Sequence, residues 1–241
     1  MEEQNIYDTG APENAITLTG NQENAGSDPP EPRLSLVDLI YGLLFSPTAT
    51  FQKISARPPL GQAFIIFTAV TLIGTLISVW APPVAPELPS EVPPQMGRMM
   101  SSMMPYTGLL AALFAFIGWF VLAGVFQLVS EFFDGRGTAL GVLTVLGLSE
   151  LPNVFSGPLY LLAGFLGSPV LATFITVSSG LLIFIWRFIL IVIGLRETQG
   201  YSTGKAVLTV LAPVIVLFLV ILVTIIALAG MMVAVIPYMS K

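Results

Sequence analysis

Apolar runs of membrane-crossing length, separated by short polar or proline-rich turns, dominate the chain from residue 60 onward. Leu60 to Trp80 is the first, uncharged and ending on an aromatic residue. Tyr106 to Ser130 is the second, and the polar turn Glu131 to Gly137 follows it. Pro169 to Leu195 and Ala206 to Pro237 complete the pattern as a fourth and a fifth span, the latter with Pro213 inside it. A hydrocarbon core of about 30 Å takes about 20 helical residues, so each of these runs is long enough to cross.

The third run, Thr138 to Leu166, is apolar but contains Glu150, Pro152, Asn153 and Pro158. It is expected to be one long span kinked near Pro152, with Thr138 as its cap; a broken or re-entrant pair of half-helices is the competitor. Ala81 to Pro105, with seven prolines and five methionines, is expected to be a loop. The expected fold class is therefore all-α, a five-span transmembrane helical bundle.

Ahead of the spans, Leu34 to Phe45 is apolar but too short to cross. On a helical wheel Ser35, Asp38 and Gly42 share a narrow arc, and leucine-rich positions cover the rest. That pattern suits a helix lying in the membrane surface through Leu36, Leu39, Ile40, Leu43 and Leu44, or a helix packed on the cytoplasmic end of the bundle. Ser46-Pro47 then opens a second short helix through Ile54, which Pro58-Pro59 ends. Residues 1–33 are rich in Glu, Asn, Gly and Pro, and too poor in large apolar side chains to offset the entropy of ordering. The expected division is an acidic disordered tail over 1–33, cytoplasmic interfacial helices over 34–58, and a five-span domain over 59–238.

Composition agrees: 55% of the residues are hydrophobic and 10% charged, against roughly 25% charged in soluble domains. Of fourteen carboxylates, seven precede the first basic residue, Arg33, so the net charge of -5 belongs to the tail. With the amino terminus inside, Arg33, Lys53, Arg57, Arg136, Arg196 and Lys205 are cytoplasmic, and Arg98 and Lys241 lie outside. The excess of basic residues therefore favours a cytoplasmic amino terminus and a carboxyl terminus on the opposite side of the cell membrane.

There is no cysteine and no histidine, which removes disulfides, thiol chemistry, the usual near-neutral base and the commonest metal ligand. No HExxH, GxSxG or paired intramembrane aspartate motif occurs, so no enzyme, cofactor or metal site is expected. The thioethers of Met96, Met99, Met100, Met103 and Met104 suit Cu(I) in principle, but the expectation is an adaptable apolar loop. Gly135-Arg136-Gly137 resembles a phosphate loop only superficially, since no strand precedes it.

Two ionisable groups fall inside spans. A charge at mid-membrane costs about 2.5 to 3.5 kcal/mol on insertion scales, so Glu150 and Arg187 need compensation. Glu150 lies about 18 Å in from the cytoplasmic start of its span at about 1.5 Å per residue, close to the depth of Arg187. The two are expected to form a buried pair, structural or functional, with Gln127 and Asn153 as further polar neighbours.

Three stretches carry a family resemblance: Pro47-Thr48-Ala49-Thr50-Phe51; Gly147 to Leu151-Pro152; and the run from Trp186 through Leu190, Gly194-Leu195 and Gly200-Tyr201-Ser202 to Lys205-Ala206. In order and spacing they resemble the Ypt-interacting (Yip) domain family of five-span proteins, in its prokaryotic branch. The resemblance spans roughly Leu34 to Pro237 and implies the same five-span topology. Eukaryotic members associate with prenylated Rab-type GTPases in vesicle budding. This chain has Pro59-Leu60-Gly61-Gln62-Ala63 where those proteins carry an Asp-Leu-Tyr-Gly-Pro signature.

The functional expectation is a non-enzymatic scaffold that organises membrane or recruits partners. Its expected partners are the lipid bilayer and other membrane proteins, with a homo-oligomer left open and no nucleic acid. The alternative is a small-solute transporter or an accessory subunit of a transport complex, suggested by Glu150, Pro152 and Arg187.

Overall fold

Trp119 marks the middle of the bundle. Its ring stacks on Phe67 at a centroid distance of 4.4 Å, and its indole Nε1 donates to the carbonyl of Leu143 at 3.0 Å. One side chain thus joins the first three spans. The computed structural model describes residues 34–80 and 94–239. The expected acidic tail and part of the expected loop, residues 81–93, lie outside the described residues.

The spanning helices are α3 (Leu60–Trp80) and α4 (Pro94–Phe132); then α5 (Ala139–Leu148), a 3-10 turn (Leu151–Phe155) and α6 (Ser156–Gly164); then α7 (Pro169–Gln199) and α8 (Thr203–Met239). They follow two short helices, α1 (Leu36–Phe45) and α2 (Pro47–Ser55). Among the described residues five segments are long and apolar enough to cross a membrane: Leu60–Ile77, Tyr106–Phe132, Ala139–Gly164, Pro169–Gln199 and Thr203–Met232. The protein is a multi-pass, all-helical membrane protein.

The third segment makes one interrupted passage. Along α7 its contacts run in reverse order, Val145 beside Gly194, Glu150 paired with Arg187, and Phe155 against Trp186. Along α3 they run in the same order, Gly147 beside Ala63 and Gly157 beside Ile77. A re-entrant pair would fold back and reverse that order. The hinge is wider than a single kink: Pro152 has no N–H to continue the α-helical ladder, and the chain turns through a 3-10 helix before α6 begins.

The centre of the bundle is α5. Every residue from Gly141 to Ser149 is buried, and the third segment is 61% buried where the fifth is 6%. Lipid tails are as apolar as leucine, so burial alone does not draw helices together in a bilayer; close packing and hydrogen bonds do. Small residues allow it here. A Cβ on Gly147 would lie 2.8 Å from Trp119 Cζ2 and 3.2 Å from the Ala63 Cβ, and one on Gly194 would lie 2.5 Å from Val145 Cγ1 and 3.0 Å from Phe51 Cε1. Thr138 caps α5, its hydroxyl accepting from the Gly141 N–H at 3.2 Å.

Two expectations change. Helix α4 begins at Pro94, so the methionines stand on a helix and not in a loop; Met96, Met99 and Met103 are exposed on it. Proline suits the first helical turn, and Pro105 costs one backbone bond in a helix of 39 residues. At about 1.5 Å per residue α4 is about 58 Å long, well beyond the hydrocarbon core. Ser46 precedes α2 without a side-chain cap; its carbonyl instead accepts from the Thr50 N–H at 3.1 Å and hydroxyl at 3.0 Å.

Replacing Gly147 by leucine should displace Trp119 and α3, at about 1–3 kcal/mol for an overpacked core. Thermal unfolding in detergent checks this: Gly147→Leu should melt below wild type, and Gly118→Leu, where a Cβ meets nothing within 4 Å, should not.

Candidate functional site: the hinge of the third span and the clamp at the basic end

At the hinge the backbone passes from α-helical to 3-10 hydrogen bonding, and the Asn153 N–H reaches the Glu150 carbonyl at 2.9 Å. This places the Glu150 and Asn153 side chains on one side of a tight turn. Arg187 of α7 pairs through Nη2 with Glu150 Oε1, and Asn153 Nδ2 donates to Oε2. Both carboxylate oxygens are therefore engaged. The Glu150 side chain keeps 13% of its exposure and Arg187 34%, so the acid is enclosed and the guanidinium reaches the edge of the bundle. Beside the pair, Phe155 stacks on Trp186 at 6.1 Å and 10°.

The cluster is not saturated with hydrogen bonds. Arg187 Nε and Ser149 Oγ, the latter next to Glu150 in the chain, are buried without partners. Chemically the arrangement is a hydrogen-bonded ion pair of no net charge at a helix break. Among the described residues no group of three or more metal-binding Asp, Glu, His or Cys side chains occurs.

Gln127 does not join this cluster. Trp119 of α4 already stands level with Leu143 and Gly147, and Gln127 is two turns further along, away from the hinge. There it belongs to a second polar assembly. Gln199, 1% exposed, donates through Nε2 to Gln127 Oε1 at 3.2 Å. Its Oε1 accepts from the Gly137 N–H at 3.1 Å, and its backbone carbonyl accepts from the Arg136 N–H at 2.9 Å. Gly200 ends α7 in the left-handed conformation, φ 70°, which glycine adopts without strain. Tyr201 then shares a hydrogen bond of 3.2 Å with Ser130 and donates to Thr209 at 3.2 Å. Lys205 Nζ reaches the Phe133 carbonyl at 2.8 Å and Asp134 at 3.1 Å. This clamp ties the α4–α5 turn to the α7–α8 turn.

Sequence reasoning missed Gln199 because a lone glutamine at a helix end looks like an ordinary surface residue. The available signal was Gly200 directly after it, since a left-handed helix stop folds the chain back over the preceding side chain.

At the same end, Pro58 approaches Gly141, and α2 rests on α7 through Phe51 at Gly194. Lys53, Arg57, Arg136, Arg196 and Lys205 thus gather at one end of the bundle. Helix α1 packs on α2 where Gly42 meets Thr50. Of its leucine-rich face, Leu39 and Leu43 are fully buried in protein, while Leu36, Ile40 and Leu44 are half-buried. The exposed stripe is instead Val37, Tyr41 and Phe45, at 73%, 65% and 68%. Apolar residues cover most of the wheel, so periodicity alone did not say which side faces the protein.

A sequence profile described as the Yip1 domain matches residues 41–225. The chain belongs to the Yip1 domain family. No curated protein and no solved structure gives a significant match. The Yip1 match covers the hinge, the clamp and all five spans in whole or part. Within this Yip1 domain, Gly147 and Gly194 admit close helix contacts, and Gly200, Tyr201 and Lys205 build the clamp.

Removing one partner of an enclosed ion pair strands the other. Arg187→Ala should therefore cost about 3 kcal/mol of stability in detergent. The reversed pair, Glu150→Arg with Arg187→Glu, should recover most of it. Fluorescence-detected gel filtration after a heat step reads both; a double variant no better than the worse single one would count against the pairing.

Proposed function

We propose that this Yip1 domain acts without catalysis as a membrane-organising, partner-recruiting scaffold, with its basic end and amino terminus in the cytoplasm and its carboxyl terminus across the cell membrane. The observation that carries this is the two-sidedness of α1. One face is anchored by Leu39 and Leu43, and the other presents Val37, Tyr41 and Phe45, with Tyr41 and Phe45 in ring contact at 4.7 Å. Anchored this way, the stripe stands at the basic end, where Lys53 and Arg57 are exposed. Exposed apolar side chains at an end of the bundle that also carries cations suit the boundary between acyl chains and anionic headgroups.

A fully inserted side chain of this size contributes about 1.5–3 kcal/mol. Three inserted in one leaflet, held by a rigid bundle, spread that leaflet and couple protein position to curvature. In this reading residues 34–58 supply the interfacial element, 59–238 the anchor, and the acidic stretch 1–33 a further surface for partners. Recruitment of Rab-type GTPases is not carried over, because Pro59 to Ala63 replaces the eukaryotic signature.

A second reading, a small-solute transporter or accessory subunit of one, draws support from the interrupted third span beside Glu150 and Arg187, since transporters bind solutes at broken helices. Flux through proteoliposomes that Arg187→Ala abolishes would favour it.

The scaffold reading is tested with Val37→Ser, Tyr41→Ser and Phe45→Ser combined, which leave the buried face of α1 intact. Reconstituted wild type should shift anionic vesicles to smaller diameters by electron microscopy, and the triple variant should not. Equal vesicle sizes for both proteins, with equal thermal stability, would refute the wedge.

A further inference from the structure

Beyond the hinge, on the side away from the basic end, α3, α6 and α7 part to leave a cleft of about 350 Å³. It falls at the lower end of volumes that hold small ligands. Glycines open it: Gly74, Gly157 and Gly180 line it from the three helices. Gly157 and Ile183 are buried and form its floor, whereas Gly74 and Gly180 are exposed at its mouth. All three helices lie in membrane-crossing segments, so whatever enters comes from the lipid phase.

The lining is not purely apolar. Ser156, Tyr160, Thr176 and Ser179 contribute hydroxyls, and three of them donate their protons to backbone carbonyls: Ser156 to Asn153 at 2.6 Å, Thr176 to Ala172 at 2.9 Å, and Ser179 to Thr176 at 3.2 Å. With those three protons committed, the oxygens of Ser156, Thr176 and Ser179 keep lone pairs to offer, so they stand in the wall as acceptors. Among the described residues no charged one lines the cleft. The nearest charges along the chain, Glu150 and Arg187, neutralise each other. A bare acyl chain would leave those acceptors unused, and a charged headgroup would find no counter-ion.

We propose that the cleft between α3, α6 and α7 binds a neutral membrane lipid carrying a free hydroxyl, of the diacylglycerol type, whose O–H donates to the Thr176 and Ser179 oxygens. The site is independent of the α1 wedge and stands or falls separately from the scaffold function.

Full-length protein in phosphatidylcholine nanodiscs is irradiated with a diazirine-bearing diacylglycerol, and in parallel with the same diazirine on phosphatidylcholine; labelled peptides are then mapped. The diacylglycerol probe should label the segments around 156–160 and 176–183. Unlabelled diacylglycerol should compete, and triacylglycerol, which lacks the hydroxyl, should not. Gly180→Leu fills the mouth without a clash, because a Cβ there meets nothing within 4 Å, and it should remove the labelling; Gly74→Leu, equally unobstructed, is the second blocking variant. Thr176→Val with Ser179→Ala should weaken competition by about fivefold per hydrogen bond lost. Labelling that survives both blocking variants would overturn the site. Equal labelling by both probes, unchanged by the hydroxyl variants, would overturn the choice of ligand and leave ordinary acyl chains as the occupant.

Discussion

The close approach of α5 to its neighbours governs the rest of the fold. A helix wholly surrounded by protein inside a bilayer gains nothing from leaving lipid as such, and it is held because backbones come near enough for dispersion and hydrogen bonding to exceed what lipid contact offers. Gly147 permits that approach toward α3 and α4, and Gly194 permits it toward α5 and α2. The Trp119 indole then fixes the depth of α4 against α5 through the Leu143 carbonyl.

With α5 fixed, the chemistry of the hinge follows. Pro152 ends the regular ladder just where the third segment leaves the most crowded part of the bundle, and Glu150 is left at the break with α7 as its polar neighbour. Arg187 and Asn153 complete the carboxylate, turning two charges that lipid would reject into a bond between helices. The same logic holds at the basic end, where Gln199 satisfies the turn between α4 and α5 instead of leaving buried amides without partners. Helix α8 is the contrast: past Pro213 its described side chains are exposed on every side, and its sequence there carries Thr224 as its one polar side chain before Met231, bonded to its own helix.

Much of this architecture was legible in the residues. The spans, the third-segment break and the depths of Glu150 and Arg187 follow from apolar run length and a rise of about 1.5 Å per residue. Other features were hidden for identifiable reasons. The wheel of α1 is apolar over most of its circumference, so Leu39 and Leu43 could not be told from Val37 and Phe45 until Gly42 was seen against Thr50. Gln127 looked like a partner for Glu150 by residue type, but the register set by Trp119 carries it away from the hinge. The helical start of α4 defied the proline count of the preceding segment because Pro94 sits where a helix tolerates it. Gln199 was overlooked because its role depends on two turns meeting in space.

Both proposed activities, the wedge at α1 and the lipid cleft beside α6, require the third segment to pass through the membrane once, since that passage separates the basic end from the cleft. The chain has no cysteine, so single cysteines can report sidedness. Arg136→Cys, before α5, and Ser168→Cys, after α6, both replace exposed residues. In sealed vesicles an impermeant thiol reagent should reach one of them from outside and the other only after the membrane is opened. Labelling of both from the same side would mean that the segment turns back within the bilayer, which contradicts a single passage and the bundle built around it.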